Sequence, residues 1–327
     1  MRAVTYDRYG PPDVLHVAEV ADPVPAAGEV LVRIEAASLN PLDWKLREGH
    51  LRFAPPVKAP PRGTGTDLAG TIVAVGGGPG PRHVGERVFG SLSPFGRAGS
   101  CAEACVVAVH RLAPVPDGVA ADAAACLPIA GGTAVQALAD DAQLASGQRL
   151  LVVGAAGGVG HFAVQYAKHA GARVVGVCGP DNVAFVAGLG ADRVIDYRST
   201  DVLASGETFD VIFDAANALD WRRAQRLLAR GGLYLGTAGS TTSAIATGVG
   251  AVLAPWFGGT RARNVVLNGG AAAWRRLGDL AARGILAPHV ERRVGLEEVA
   301  GAQAAMQTGH GRGKVVVLPQ LMPRAAG

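Results

Sequence analysis

One stretch near the middle of the chain constrains the fold more than any other: residues 150–160 read LLVVGAAGGVG. The apolar run is typical of a short buried strand, and the glycines that follow are typical of a tight turn. The next segment, HFAVQYAKHAG, is typical of a helix, and RVVGVCG (173–179) of a second strand. Strand, turn, helix and strand in this order predict a parallel βαβ unit.

The glycine turn predicts a binding site for a dinucleotide. The first amides of a helix that follows a parallel strand have no partner within the helix, and they attract a pyrophosphate. Ala155, Gly157 and Gly160 stand at the three small-residue positions of the dinucleotide fingerprint. The alternative is a strand–helix turn that holds nothing. The candidate binding residues of the turn are Ala155, Ala156, Gly157, Gly158, Val159 and Gly160.

The segments around this turn continue the alternation of strand and helix. The predicted helices cover 158–170, 181–189 and 220–230, and DAAACLPIAGGTAVQALAD (122–140) is predicted to be a helix with an internal proline. The predicted strands, rich in Val, Ile and Leu, cover 149–155, 173–179, 193–197, 209–215 and 231–237, with RNVVLN (263–268) as a candidate sixth. Because such strands are apolar on both faces, we expect helices on both sides of a doubly wound parallel sheet.

The first part of the chain has a different character. Short alternating strands between Pro- and Gly-rich turns predict a small β-barrel or sandwich. A length of 327 residues is enough for two domains. We predict a first domain at 1–122, a nucleotide-binding domain at 123–268 and a C-terminal segment at 269–327, whose last strand, GKVVVLP, rejoins the first domain.

Composition argues against several other classes of protein. The net charge of +4 comes from scattered arginines, and no block of like charge exceeds two residues, so no nucleic-acid partner is expected. The apolar run near AIATGVGAVLAPWFGG is too short and too rich in glycine to span a membrane as a helix. The chain has four cysteines, and its N-terminal sequence, MRAVTYDRYG, does not resemble a secretory signal. We therefore expect reduced thiols and a cytoplasmic protein.

The identity of the dinucleotide depends on the end of the second strand. An acidic side chain there would bind the ribose of NAD, but this strand ends at Cys178-Gly179, with no carboxylate before Asp181. The next strand ends in DYRS, where Tyr197 and Arg198 can reach a 2′-phosphate. We therefore expect NADPH rather than NADH, with an ordinary surface role for Arg198 as the alternative.

Several ordered motifs extend over nearly the whole chain: NPLDWKLREG (40–49), GTDLAG (65–70), GERVFG (85–90), AACLPIAGGTAVQAL (124–138), GAAGGVG (154–160), GADRVIDY (190–197) and GHGRGKVVVLP (309–319). By these motifs the chain resembles the medium-chain dehydrogenase/reductase superfamily, and within it the zinc-free quinone oxidoreductases of the zeta-crystallin type. The resemblance implies an α/β protein with a GroES-like β-barrel domain and a Rossmann domain. It also implies zinc-independent, NADPH-dependent reduction of quinones or other α,β-unsaturated carbonyls by hydride transfer in the interdomain cleft.

The motif NPLDWKLREG supplies candidate catalytic residues for such a reaction. Asn40 can donate an amide N–H to a substrate carbonyl, and Lys45 can reach the substrate oxygen or a ribose hydroxyl while Asp43 holds Lys45. Asp67 can approach the nicotinamide or hydrogen-bond the backbone of its own loop. The alternatives are a loop asparagine before a proline and a solvated helix lysine.

The resemblance extends the cofactor site beyond the glycine turn, to a threonine near the nicotinamide phosphate, to strand ends and to a terminal basic position. The residues concerned are Thr133, Cys178, Tyr197, Ala216, Asn217, Gly236, Thr237, Arg312 and Lys314, with Lys314 as the terminal basic position and Arg312 as its rival. The segment 243–259 is predicted to cover the substrate, with a buried core segment as the alternative.

A metal ion is not expected. Where similar alcohol dehydrogenases carry the ligands of a catalytic zinc, this chain has Asp43, Thr66-Asp67 and Cys126. Such a zinc takes three protein ligands and keeps one position open. Asp43, Asp67 and Cys126 are the only alternative set that the comparison of motifs suggests.

Two other functions stay open at this point. An enoyl-thioester reductase would use the same pair of domains, and a low-turnover NADPH-binding protein, either a sensor or a crystallin-like protein that also binds RNA, would use the same turn. The resemblance further implies a homodimer formed through the edge strand RNVVLN.

Overall fold

The structure is a computed structural model that describes residues 1–53, 56–78, 80–219, 221–237, 259–309 and 311–321. The chain forms two compact units. Unit 1 comprises Met1–Ile129, Asn268–Gly284 and Val290–Gly327, and unit 2 comprises Ala130–Leu267 and Ile285–His289. Apart from Gly259, the predicted cover segment 243–259 lies outside the described residues. None of the described helices combines the length and the apolar character that a membrane crossing requires.

The described strands and helices follow one another along the whole chain. The strands are β1 (Arg2–Tyr6), β2 (His16–Glu19), β3 (Glu29–Ser38), β4 (Arg62–Gly63), β5 (Asp67–Val75), β6 (Arg87–Ser91), β7 (Ala104–Ala108), β8 (Leu112–Pro114), β9 (Arg149–Val153), β10 (Arg173–Cys178), β11 (Arg193–Asp196), β12 (Phe209–Asp214), β13 (Leu228–Thr237), β14 (Arg261–Val265), β15 (Val290–Val294) and β16 (Lys314–Val317). The helices are α1 (Pro41–Arg47), α2 (Ala121–Cys126), α3 (Gly132–Val135), α4 (Gly160–His169), α5 (Val183–Gly188), α6 (Trp221–Gln225), α7 (Ala271–Ala282) and α8 (Val299–Gln307).

Unit 1 contains two sheets, as the short alternating strands predict. The larger has the order β15-β16-β3-β5-β6-β8, with β7 also paired to β3, and the smaller has the order β2-β1-β4. Strand β3 shows why the sheet has an inner face, since Val30, Val32 and Ile34 alternate into the core with at most 1% exposure. Burial of alternate apolar side chains drives this packing.

The last strand lies in unit 1. Strand β16 pairs antiparallel with β3, with Val316 opposite Ser38, and Leu39 donates its backbone N–H to Val315 O at 3.0 Å. All four residues of β16 are buried. A short strand with no exposed residue needs partners on both sides, and β15 supplies the second one.

Unit 2 is built on a parallel sheet with the order β11-β10-β9-β12-β13-β14. This is the order of a doubly wound nucleotide-binding sheet, whose ligands bind at the carboxyl ends of the strands. Consecutive residues of β9, Leu150, Leu151 and Val152, have no exposed surface, so both faces of the sheet are covered. The predicted α/β fold class is confirmed.

Two helical predictions change in detail. The helix predicted at 220–230 ends at Gln225, and β13 begins at Leu228, because Leu228 pairs with Phe209 and Gly231, at φ +76°, lets the strand bend before it continues. The predicted helix with an internal proline consists of α2 and α3 separated by a wide π-helical turn, Leu127–Gly131. Pro128 lies in that turn because proline cannot donate the backbone hydrogen bond of a regular helix.

Candidate cofactor and active site

The glycine turn begins where β9 ends at Val153. Gly154 has φ +75°, a conformation that glycine adopts without strain. The backbone N–H groups of Gly154 and Ala155 both donate to Val177 O of the neighbouring strand, at 3.1 and 3.0 Å, and Gly157 N donates to Gly154 O at 3.0 Å. The turn is therefore closed on itself and fixed to β10.

Two of the glycines in the turn serve different purposes. A Cβ added to Gly160 would lie 2.1 Å from Gly154 O and 2.8 Å from the Cα of Ala155, so only glycine allows α4 to start this close to the turn. A Cβ on Gly157 would meet nothing closer than Gly154 O at 3.4 Å, an ordinary contact. A side chain at Gly157 would thus be compatible with the protein and would instead fill the space beside the turn.

Three backbone donors of the turn are left without an acceptor. Among the residues that the structure describes, the N–H groups of Ala156, Gly158 and Val159 donate to no protein group. They precede α4, whose aligned peptide dipoles add positive potential at this end. Unpaired N–H groups in a cradle without side chains fit the pyrophosphate of a dinucleotide.

The neighbouring strand ends carry the other predicted cofactor residues of unit 2. Cys178 ends β10 and is buried, and Tyr197, 54% exposed, follows β11 with its ring 3.6 Å from the position of a Cβ on Gly179. Arg198 beside it is exposed. Thr133 is buried on α3, which packs against α4.

The ends of β12 and β13 are joined by side chains. Gly236 and Thr237 end β13, and the hydroxyl of Thr237 accepts a hydrogen bond from Asn217 Nδ2 at 2.9 Å. Asn217 and the adjacent Ala216 are exposed on the loop after β12. Asp214 ends β12 and accepts hydrogen bonds from this loop. It was not identified from the sequence, although a carboxylate at the end of the apolar run FDVIFD could have indicated it.

In unit 1 the structure brings together Asn40, Asp67 and Lys314. Lys314 Nζ donates to Asn40 Oδ1 at 2.6 Å and to Leu39 O at 2.8 Å, and Asn40 Nδ2 donates to Asp67 Oδ2 at 2.9 Å. The backbone N–H of Ile129 reaches the same Asp67 oxygen at 3.2 Å. We refer to Asn40, Asp67 and Lys314 as the polar cluster.

The partners of Asn40 fix the orientation of its amide. Lys314 can only donate, so Asn40 Oδ1 must face it, and both amide hydrogens then face acceptors, Asp67 at 2.9 Å and Ser38 O at 3.3 Å. Asn40 is 2% exposed. Burial raises the pKa of Asp67 to about 6, opposed by the charge of Lys314 and by the Asn40 amide.

The predicted pairing of Asp43 with Lys45 is replaced by other hydrogen bonds. Asp43 Oδ2 accepts from the Asn40 backbone N–H at 2.7 Å, and Oδ1 accepts from the Thr66 hydroxyl at 3.0 Å, so Asp43 closes the first turn of α1. Burial raises the pKa of Asp43 to about 7. Lys45 lies half-buried on α1, its pKa lowered by burial, and is not part of the polar cluster.

The position of Lys314 follows from strand pairing. Val316 lies opposite Ser38, and the same register continued by two residues brings Lys314 to Asn40, to whose Oδ1 its Nζ donates. The sequence predicts that the last strand rejoins the first domain. Knowledge of this register as well would have located Lys314 beside Asn40. Its rival Arg312 lies two residues away, where its backbone N–H donates to Glu291 at 3.1 Å.

Comparison with known proteins places the chain in a family. Residues 26–117 match the model of the alcohol dehydrogenase GroES-like domain, and residues 189–317 match that of the zinc-binding dehydrogenases. A chloroplastic quinone-oxidoreductase homolog of Spinacia oleracea is 40% identical over 231 residues, 68% of this chain and 70% of that protein. An NADPH-dependent alkenal/one oxidoreductase of Arabidopsis thaliana, also chloroplastic, is 31% identical over 98% of this chain and 80% of that protein.

A solved structure gives the same result. The quinone oxidoreductase from Coxiella burnetii superposes with a TM-score of 0.86 at 28% identity, covering 98% of this chain and 99% of that one. Fold and comparisons together define an oxidoreductase with a GroES-like domain and a Rossmann domain. The chain belongs to the quinone oxidoreductase (zeta-crystallin-like) family of the medium-chain dehydrogenase/reductase superfamily. The predicted family and enzyme class are confirmed.

One of the two matching families is described as zinc-binding. The residues that this chain has at the positions of the zinc ligands do not suit a zinc ion. Both oxygens of Asp43 accept hydrogen bonds from Asn40 and Thr66, and Asp67 Oδ2 accepts two N–H groups. Burial raises the pKa of Cys126 to about 12, so its thiol stays protonated, whereas zinc binds thiolate. Among the described residues no group of three His, Cys, Asp or Glu side chains is arranged to hold a metal ion.

Proposed function

We propose that this protein is a zinc-independent, NADPH-dependent reductase of quinones or other α,β-unsaturated carbonyls. The observation that carries the proposal is the glycine turn, with three N–H donors that lack acceptors in a cradle where Gly157 leaves room. The relatives named as quinone and alkenal/one oxidoreductases support the choice of substrate class. When bound, the reduced nicotinamide supplies the hydride.

The residues of unit 2 bind and orient the cofactor in this proposal. The N–H groups of Ala156, Gly158 and Val159 hold its phosphates, and the loop carrying Ala216 and Asn217 lines the nicotinamide edge. Since all these groups lie at the carboxyl ends of neighbouring parallel strands, they share one edge of the sheet. Cofactor contacts of Thr133, Gly236 and Thr237 are part of the same proposal.

In this proposal the polar cluster of unit 1 holds a proton on Asp67 and sets the pKa of that carboxyl group. With a pKa of about 6, Asp67 is partly protonated close to neutral pH and can supply the proton that the reduced product needs. Lys314 keeps the amide of Asn40 in one orientation and places positive charge beside the carboxylate. Lys45 stays a candidate donor to the substrate oxygen, and cofactor contacts of Arg312 and Lys314 stay predictions.

A preference for NADPH over NADH rests on the ends of β10 and β11. No carboxylate stands between Cys178 and Asp181 to bind a 2′-hydroxyl at the end of the strand, whereas the exposed Tyr197 and Arg198 suit a phosphate. The Arabidopsis relative named as NADPH-dependent supports the same choice.

Assembly and location complete the proposal. Among the described strands, β14 forms the outer edge of the parallel sheet and can pair with its copy across a twofold axis, which would give a homodimer. Sedimentation or light scattering in solution tests this. The four cysteines are unpaired and buried, which is consistent with a reducing compartment such as the cytoplasm; the two relatives quoted above are chloroplastic.

The test of function is a substrate panel with the purified protein. We expect oxidation of NADPH with 1,4-benzoquinone and with alkyl enones, unchanged after dialysis against a chelator. No turnover of ethanol or benzyl alcohol with NADP⁺ is expected. Faster turnover of a crotonyl thioester would favour the enoyl-thioester reductase, binding of NADPH without any turnover would favour the sensor, and loss of activity with the chelator would contradict zinc independence.

A further inference from the structure

The most heavily hydrogen-bonded carboxylate in the described part of unit 2 is one to which neither motif nor resemblance assigns a role. Asp214 ends β12 and has no exposed surface. Its Oδ1 accepts the backbone N–H groups of Ala216 and Ala218, both at 3.1 Å. Its Oδ2 accepts the N–H of Leu219 at 2.8 Å and the hydroxyl of Tyr234 at 3.1 Å.

These hydrogen bonds fix the backbone of the loop after β12. Asn217 lies between two of the donors and has φ +53°, the left-handed region that residues with a side chain seldom adopt. The bonds from Ala216 and Ala218 to one oxygen hold the loop in this conformation from both sides. Without these two bonds, the hydrogen bond to Thr237 is the only described contact of Asn217 that would favour its left-handed conformation.

The loop that Asp214 fixes lies directly against the glycine turn. A Cβ on Gly154 would be 2.8 Å from the Cβ of Ala216 and 3.3 Å from its backbone nitrogen. Ala215 N also donates to Val153 O, the last residue of β9, at 3.0 Å. The exposed residues of the loop, from Ala216 to Ala218, therefore border the cradle formed by the turn.

We propose that Asp214 is a positioning residue for the cofactor: it does not touch the nucleotide, and through its hydrogen bonds it holds the 216–218 loop in the conformation that completes the cradle. This inference rests on the proposed function. It differs from a purely structural role, because the loss of Asp214 should weaken cofactor binding more than an equivalent loss of stability elsewhere in the same sheet.

Asp192 offers a matched control for this distinction. Its carboxylate also accepts a backbone N–H, from Val174 at 2.7 Å, and pairs with Lys168. It precedes β11, at the amino end of the parallel strands and away from the glycine turn. Asp192→Asn therefore removes a hydrogen-bonding carboxylate at the opposite edge of the sheet, one whose side chain is 48% exposed.

The experiment measures the Kd of NADPH by fluorescence titration, together with the midpoint of thermal unfolding, for the wild type, Asp214→Asn and Asp192→Asn. An amide at Asp214 turns one acceptor into a donor that faces two donors, so we expect the Kd to rise about tenfold. Asp192→Asn should lower the unfolding midpoint and leave the Kd within about twofold of wild type.

A milder variant covers the case in which Asp214→Asn does not fold. Tyr234→Phe removes one hydroxyl that lies within bonding distance of Asp214 and of Leu219 O, and should raise the Kd about two- to threefold. Equal Kd values for wild type and both loop variants would overturn the role of Asp214 alone. A wild type that binds neither NADPH nor NADH would instead contradict the proposed function.

Discussion

The glycine turn of unit 2 and the polar cluster of unit 1 both take part in the proposed reaction, but the first is built from backbone groups and the second from side chains. The turn presents backbone N–H groups and depends on the absence of side chains at Gly157 and Gly160. The cluster consists of three buried side chains whose orientations depend on one another. A site made of backbone is sensitive to any added atom, whereas a site made of side chains is sensitive to the loss of one charge or one hydrogen bond.

The largest effect is expected at the turn itself, from Gly160→Ala. The added Cβ would lie 2.1 Å from a backbone oxygen, so α4 must shift away from the turn. We expect a loss of about 3 kcal/mol or more in the free energy of unfolding, and no measurable NADPH binding. Chemical denaturation and cofactor titration check the two effects.

Gly188→Ala is the control for that change. Gly188 lies in α5 of the same unit, and a Cβ there would meet nothing within 4 Å. Its NADPH affinity should equal that of the wild type, and its stability should be equal or higher, because alanine favours a helix more than glycine does. If Gly160→Ala behaved in the same way, the close approach of α4 to the turn would not be needed for binding.

The polar cluster is tested next by Lys314→Met. This change leaves Asn40 Oδ1 and Leu39 O buried without their donor, at about 1–3 kcal/mol each, and removes the charge that lowers the pKa of Asp67. We expect kcat to fall at least about tenfold. In the plot of kcat against pH, the change that reflects titration of Asp67 should move to higher pH.

The same kinetics distinguish two roles for Lys314. If it acts through the cluster, the KM for NADPH stays near the wild-type value; a large rise in that KM with little change in kcat would support the alternative of a direct cofactor contact. Lys168→Met, which removes a lysine paired with Asp192 in unit 2, is the control and should retain full activity.

A smaller effect is the dependence of stability on pH. The pKa values of Asp43 and Asp67 are raised from 3.8 to about 7 and about 6, so between pH 4 and pH 7 the folded protein holds more protons than the unfolded chain. Stability contributed by these two groups is therefore present in full at acid pH and is lost as the pH rises. The slope is about 1.4 kcal/mol per pH unit for each excess proton.

This dependence is measured by urea unfolding from pH 5 to pH 8. Because other groups titrate as well, the informative quantity is the difference between the wild type and Asp67→Asn. The wild type should lose stability with rising pH more steeply than the variant. Parallel curves for the two proteins would show that Asp67 does not hold a proton in the folded state.

The smallest effect belongs to the surface of unit 2. Arg198→Ala should raise the KM for NADPH about fivefold and leave that for NADH unchanged, because an exposed ion pair with a phosphate contributes about 1 kcal/mol. The effect should shrink in high salt. Arg173→Ala, which changes an exposed arginine at the amino end of β10, is the control; equal effects of both changes would show that Arg198 does not bind the 2′-phosphate.

The sequence reveals the turn more fully than the cluster, for a physical reason. The turn and all but the first residue of its strand lie within the eleven residues 150–160, and local glycine spacing determines the geometry. In the cluster, Asn40 lies 27 positions from Asp67 and 274 from Lys314. Those contacts require the pairing of β16 with β3 and its register, and the motifs alone gave Lys314 a different role.

Asp214 and Asp43 illustrate the same limit at shorter range. Each carboxylate is adjacent in sequence to residues that the motifs identify, yet its partners depend on the path of the backbone after a strand or before a helix. Asp43 and Lys45 are two positions apart on α1, a spacing at which helix side chains do not face each other. Asp43 instead accepts the backbone N–H of Asn40, the residue that caps the helix.

The central claim, that a reduced nicotinamide dinucleotide is held by the backbone of the glycine turn, is tested most directly by titrating NADPH into the wild type and into Gly157→Ala. The added methyl contacts no protein atom closer than 3.4 Å, so the variant should unfold at the same temperature as the wild type. We predict saturable one-to-one binding in the wild type and a Kd about 100-fold higher in the variant. Equal affinity in the two proteins would contradict the account.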